Sequence, residues 1–197
     1  MNIKELFREV GTGKLSLRYD VAYQFLCFHL REKPNPRIFE LGVLDGASIE
    51  LWRRWFGKDA YIVALDIVPD CAAKAVAADK IYVGNQSDSL LLEKIIAETG
   101  GKFDLIVDDA SHIPQQQLES FQTLWPHVND WGVYVVEDCG LNVGKHRARR
   151  IKAGEKSVLD VLYEKAQTNM YRFARKPPEE YICFCGMAIF VIRIPKE

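Results

Sequence analysis

Apolar positions along this chain switch between two spacings, and the switches mark out its elements. Ile3 to Val10 is patterned as a short amphipathic helix that breaks at Gly11-Thr12-Gly13. Val21, Phe25, Leu26, Phe28 and Leu30 then recur at helical spacing between Tyr19 and Arg31, until Pro34 and Pro36 end the run. Short β-type runs follow: Arg37–Leu41, Ala60–Leu65, Ile81–Val83, Phe103–Asp109 and Val133–Glu137. Helical segments separate them, over Ile49–Phe56, Ser89–Glu98 and from Pro114 through Leu118, Phe121 and Leu124. Ser87 or Asp88 would cap the second of these, and Gly100-Gly101 would end it. A helix from about Val158 to Gln167 leads to a hairpin, Tyr181–Cys185 and Ala188–Ile194, around Cys185-Gly186-Met187. Strands alternating with helices predict a three-layer α/β/α sandwich with a mostly parallel sheet, closed by one antiparallel C-terminal strand.

Two of the apolar runs end abruptly in acids: Asp108-Asp109, with Ser111-His112 just after, and Glu137-Asp138. In an open parallel sheet the carboxyl ends of the strands line the ligand crevice. Four carboxylates delivered to one edge repel one another unless a cation or proton sits among them. The bland alternative is a set of solvated strand-end acids, with Asp109 or Ser111 capping the helix at Pro114; two adjacent pairs favour a site.

Composition narrows the classes. The 197 residues, 48% of them hydrophobic, suffice for one domain with a sizeable core. We expect a single domain over 1–197, with an N-terminal helical segment over 1–33 covering one side of the ligand crevice and the core over 34–197. A net charge of −1 offers no general attraction to nucleic acid or an anionic membrane. No apolar run is long enough to span a bilayer, and Met1-Asn2-Ile3-Lys4-Glu5 lacks the hydrophobic part of a signal peptide. Five cysteines without a CxxC pair argue against a zinc site or disulfide framework, so the expected setting is cytoplasmic. Trp52, Trp55 and Phe56 are expected in the core. The basic run Lys145–Lys152 is expected as a solvated loop, with a lid or an anion-attracting segment as alternatives.

The turn Glu40-Leu41-Gly42-Val43-Leu44-Asp45-Gly46-Ala47-Ser48 has glycines where a strand gives way to a helix. That allows close backbone approach to a ligand beside free helix N–H groups. It is neither a Walker loop nor the full three-glycine dinucleotide turn. Asp66, ending the next strand, stands where an acid can accept both hydroxyls of a ribose. Together these favour an adenosine-type ligand.

This combination resembles the class I S-adenosylmethionine-dependent methyltransferases, whose fold is Rossmann-like. More narrowly it resembles the metal-dependent sugar O-methyltransferases of macrolide and aminocoumarin biosynthesis and their cephalosporin hydroxylase-like relatives. The matching pieces are Gly11-Thr12-Gly13-Lys14 with Tyr19 and Tyr23, the Glu40–Ser48 turn, Gly84-Asn85-Gln86, Asp108-Asp109-Ala110-Ser111-His112 and Gly132–Asp138. The resemblance implies that Glu40, Gly42, Gly46 and Ser48 hold the methionine end of the cofactor. It further implies Asp66 on the ribose, Gln86 by the adenine and Asp108 facing the amino group. Asp109, Glu137 and Asp138 would bind a divalent cation, with His112 as general base. Gly13, Asn85 and Ala110 depart from the usual residues, and nothing after Asp138 matches.

The chemistry is coherent. Three carboxylates suit a hard cation, Mg²⁺ first, which keeps positions for water or two neighbouring substrate hydroxyls. A hydroxyl so held loses its proton more easily, and histidine exchanges protons near neutral pH. The expected activity is O-methylation of a small molecule, a sugar or glycosylated metabolite. Alternatives are a catechol-like acceptor and a non-catalytic cofactor-binding protein. Tyr19 and Tyr23, four apart on a helix, would either cover the cofactor or simply pack. A homo-oligomer is possible on this reading; nucleic-acid and membrane partners are not expected.

Overall fold

The computed structural model describes residues 2–139, 151–152, 154–172 and 179–195. The segment expected as a basic loop, Lys145 to Arg150, lies outside them. The described residues form a seven-stranded sheet in the order β3-β2-β1-β4-β5-β7-β6. Its strands are β1 (Arg37–Leu41), β2 (Tyr61–Asp66), β3 (Lys80–Val83), β4 (Phe103–Asp108), β5 (Val128–Val136), β6 (Glu180–Cys185) and β7 (Ala188–Arg193). Neighbours among β1 to β5 run parallel, while β7 runs antiparallel to both β5 and β6. The expected closing antiparallel strand is therefore present, inserted between β5 and β6.

The helices are α1 (Ile3–Val10), α2 (Tyr19–Leu26), α3 (Ala47–Phe56), α4 (Pro69–Ala72), α5 (Ser89–Thr99), α6 (Pro114–Leu124) and α7 (Val158–Arg172). Several features differ from the sequence expectation, among them α4, which the apolar pattern did not mark. The helix expected through Arg31 stops at Leu26 and continues as a 3₁₀ turn over Phe28–Glu32. Strand β5 starts five residues earlier than expected, because the chain bulges opposite Asp104 before the register resumes at Leu105↔Val133. Trp131 takes a left-handed conformation within that bulge. Asp88 caps α5 by accepting from the Leu91 amide.

Period-two alternation sorts the strand residues into two cores. Ile38, Ile62, Ala64, Leu105, Val107, Val133, Val135 and Phe190 face α1, α2 and α3, where Trp52 and Trp55 are buried. Phe39, Leu41, Val63, Leu65, Ile106, Tyr134, Val136 and Val191 face the layer of α5, α6 and α7. Cys183 and Cys185 lie together against the first core, as alternation on one strand requires. No helix among the described residues is long and apolar enough to cross a membrane.

Candidate active site

Strand parity decides which acids meet. Continuing the face of Ile38 leads to Glu40, that of Leu105 and Val107 to Asp109, and that of Val133 and Val135 to Glu137. All three carboxylates thus emerge on the α1–α3 side of the sheet's carboxyl edge, with β4 between β1 and β5. Lys14, in a 3₁₀ turn (Gly13–Leu15) between α1 and α2, enters that same face. Its ammonium donates to Glu137 Oε2 at 2.7 Å and to Asp109 Oδ2, and lies 3.5 Å from Glu40 Oε1. The cation among these three carboxylates is, in this structure, a lysine; of the four strand-end acids it engages Asp109 and Glu137 but neither Asp108 nor Asp138.

Burial shapes the electrostatics here. Burial alone would lower the Lys14 ammonium, but Glu137, Asp109 and Glu40 outweigh it and hold it well above its ordinary value. Glu40 is pushed up to about 7 by burial, against the pull of Lys14 and hydrogen bonds from Ser48 and Trp52. Burial likewise raises Glu137, opposed by Lys14. Tyr23 donates its hydroxyl to Glu137 Oε1, and Tyr19 donates to Asp138 Oδ1 at 2.8 Å. Both tyrosines of α2 are therefore spent on the acids.

The two aspartates each keep one oxygen toward His112. Asp109 Oδ1 lies 4.0 Å from His112 Nδ1, and Asp138 Oδ2 lies 3.8 Å from Nε2. His112 Nδ1 is buried without a hydrogen-bond partner. His112 and Asp138 both adopt positive φ (53° and 55°), a strained conformation for non-glycine residues that recurs at functional sites. Ligand atoms of Asp109, His112 and Asp138 all lie within 4.8 Å of one another, the one such grouping found among the described residues. The two carboxylates are hard oxygen donors of the kind Mg²⁺ or Mn²⁺ takes, whereas the imidazole is a borderline donor.

A cavity of about 500 Å³ runs along this edge. It is lined by Gly42, Ser48, Asp66 and Gln86 toward one side and by Asp109, His112, Glu137 and Asp138 toward the other. It lies where the strand order reverses beside β1, the usual ligand crevice of such sheets. Gly42 has φ +95°, and a Cβ there would meet the Asp109 carbonyl oxygen at 2.3 Å, so only glycine lets the ends of β1 and β4 close up. Asp66 accepts backbone amides from Val43 (2.8 Å), Leu44 (3.2 Å) and Val68 (2.8 Å), which fixes the turn at the cavity wall.

Three residues expected at the cofactor do not line the cavity: Glu40, Gly46 and Asp108. Glu40 is fully buried beneath it, held by Trp52 Nε1 at 2.7 Å. Gly46 supports the turn from behind, with φ +84° and the Lys74 carbonyl 2.4 Å from where a Cβ would sit. Asp108 has the opposite parity to Asp109 and points to the α6 side, accepting from Gln86 Nε2 (2.9 Å), Ser120 and Tyr134 (3.3 Å). Gln86 in turn accepts the Ser111 amide at 2.7 Å, tying the β3 and β4 loops together. Lys14 received no role from the sequence; its only signal was its position in Gly11-Thr12-Gly13-Lys14.

No family model matches the chain. Among curated proteins it is 34% identical over 125 residues to the 8-demethyl-8-(2-methoxy-alpha-L-rhamnosyl)-tetracenomycin-C 3'-O-methyltransferase of Streptomyces olivaceus, covering 59% of this chain and 30% of that protein. It is also 34% identical over 119 residues to the demethylmacrocin O-methyltransferase of Streptomyces fradiae, covering 56% of this chain and 29% of that protein. The chain thus aligns with under a third of the length of these relatives. Among solved structures, the mycinamycin-pathway methyltransferase MycE, in complex with Mg, SAH and mycinamycin VI, matches with TM-score 0.81 and 24% identity over 98% of this chain and 54% of that one. An O-methyltransferase from Bacillus cereus in complex with SAH matches with TM-score 0.58 and 15% identity, over 98% of this chain and 90% of that one. The chain therefore has the class I methyltransferase fold, and its curated sequence relatives are O-methyltransferases.

Proposed function

We propose that this chain is an S-adenosylmethionine-dependent, divalent-metal-assisted O-methyltransferase acting on a hydroxyl of a small molecule, a sugar or glycosylated metabolite. The observation that carries this reading is one continuous cavity joining the glycine turn at Gly42 to the Asp109–His112–Asp138 group. The names of the curated relatives support the acceptor class. When bound, S-adenosylmethionine would supply an electrophilic methyl group, and a divalent cation would make a neighbouring hydroxyl more acidic.

The protein's own residues do the rest. Gly42, Ser48, Asp66 and Gln86 form the cofactor wall, with Glu40, Gly46 and Asp108 supporting that wall from behind. Asp109 and Asp138 would hold the cation, with Glu137 as the third carboxylate once Lys14 yields it. His112 receives the acceptor's proton at Nε2, since Nδ1 is buried. Carboxylate oxygens flank its ring on two sides, at 4.0 Å and 3.8 Å. Residues Thr12, Gly13, Lys14 and Leu17 line the cavity, which supports a covering role for the N-terminal segment 1–33 within a single working domain. Five free cysteines fit a reducing, cytoplasmic setting.

Titration calorimetry with S-adenosylmethionine, with and without Mg²⁺, tests the reading, followed by mass-spectrometric assay against O-glycosides and catechols. Binding plus a 14-dalton gain on a glycoside is expected. Transfer to catechols alone would replace the acceptor class, and no cofactor binding at millimolar concentration would end the proposal.

A further inference from the structure

The acids that would hold the cation are already engaged by one, and it belongs to the chain. Lys14 is only 5% exposed, and its ammonium takes Asp109 Oδ2 and Glu137 Oε2, with Glu40 Oε1 close by. Glu137 retains no idle oxygen, because Tyr23 holds the other. A divalent ion bound by Asp109, Glu137 and Asp138 would need an oxygen that Lys14 now occupies. Two cations cannot share those oxygens without strong mutual repulsion in a poorly solvated site. The lysine sits on a short turn flanked by Gly11, at φ +73° as the C-cap of α1, and Gly13; a Cβ at either glycine would meet nothing within 4 Å. Open space therefore adjoins the turn at both glycines. The same turn contributes Thr12, Gly13 and Lys14 to the cavity wall.

We propose that Lys14 is a tethered counter-cation that competes with the divalent ion for Asp109 and Glu137, so that metal loading displaces its ammonium. This rests on the metal-assisted reading above. In the metal-free protein Lys14 prevents the buried acids from repelling one another. On loading, the ammonium leaves, Glu137 becomes available as a ligand, and the turn that lines the cavity shifts. Lys14 is a positioning residue in this scheme, acting through Asp109 and Glu137 rather than on the acceptor. Metal affinity is then set partly by the free energy of removing the lysine.

The test uses Mn²⁺ and no activity measurement. Binding of Mn²⁺ to wild type and Lys14→Met is followed by the loss of the free-ion paramagnetic resonance signal. The variant is expected to bind about tenfold more tightly or better, having lost the competitor. Its metal-free melting temperature is expected to fall and to be restored by Mn²⁺. Equal or weaker binding by a folded Lys14→Met would overturn the proposal. Should that variant fail to fold even with Mn²⁺, acetylation of wild type with an amine-reactive ester decides. Mn²⁺ should raise labelling of Lys14 several-fold relative to exposed Lys94, and unchanged labelling would refute displacement. If wild type binds no Mn²⁺ at all, the metal-assisted reading itself has failed, which is a different result from a bound ion that leaves Lys14 in place.

Discussion

Lys14 Nζ lies 2.7 Å from Glu137 Oε2 although 123 positions separate the two residues, and both side chains are almost wholly buried. A buried ion pair adds little net stability compared with apolar packing, but removing one partner strands the other. Glu137→Gln in the metal-free protein is therefore expected to cost about 3 kcal/mol, measured by urea unfolding in the presence of a chelator. A loss under about 1 kcal/mol would mean that Asp109 and Glu40 suffice to hold the ammonium.

His112 offers a cleaner separation of binding from chemistry. It touches the acid pair but lies on the β4–α6 loop rather than on the turn at Gly42. His112→Asn is expected to lower the methyl-transfer rate about 10²- to 10⁴-fold while S-adenosylmethionine binding stays within about threefold. Rapid-quench rates and calorimetry on the same preparation check both halves. An unchanged transfer rate would remove His112 from the base role.

The sequence carried the fold and much of the cavity because both depend on local periodicity. Continuous apolar runs separated by helical spacing place the strand ends, and glycines at Gly42 and Gly46 mark the turn; the order of the strands comes from the structure alone. Parity along β4 was also readable: Leu105, Val107 and Asp109 must share a face, and Asp108 must take the other. Applied there, it separates Asp108 from the acids that meet Lys14. What period alone does not encode is which distant residue neutralises the buried charge. Lys14 reaches Asp109 across 95 positions, and nothing in Gly11-Thr12-Gly13-Lys14 announces its destination. The bulge at the start of β5 was hidden for a similar reason. It is set by Asp104, which accepts from Asn129, Lys33 and the Arg37 amide, a network spread over three segments.

Gly42 and Gly101 provide a matched pair for the turn. Both have strongly positive φ, +95° and +102°, but a Cβ at Gly101 meets nothing within 4 Å. Gly101→Ala should therefore show the conformational penalty alone, about 1 kcal/mol. Gly42→Ala adds a collision with the Asp109 backbone and is expected to cost about 3 kcal/mol or more while weakening cofactor binding. Thermal melts and calorimetry of the two variants compare them directly. Equal destabilisation would show that β1 and β4 can part without consequence.

Asp108 makes stability depend on pH in a direction opposite to that of an ordinary salt-bridged acid. Burial pushes its carboxyl up to about 7 from the ordinary 3.8, outweighing the hydrogen bonds from Ser120, Gln86 and Tyr134. The folded protein therefore holds a proton on Asp108 that the unfolded chain has already released between pH 4 and pH 7. With more protons bound in the folded state, stability falls as pH rises through that window and levels off above it. Asp108→Asn keeps the shape and removes the titration, so its stability should fall less between pH 5 and pH 8. The difference from wild type is expected to be on the order of 2–3 kcal/mol across that interval. Urea unfolding of both proteins in chelator at the two pH values measures it. Parallel pH slopes would mean that Asp108 is ionised throughout, its three donors having overcome the burial.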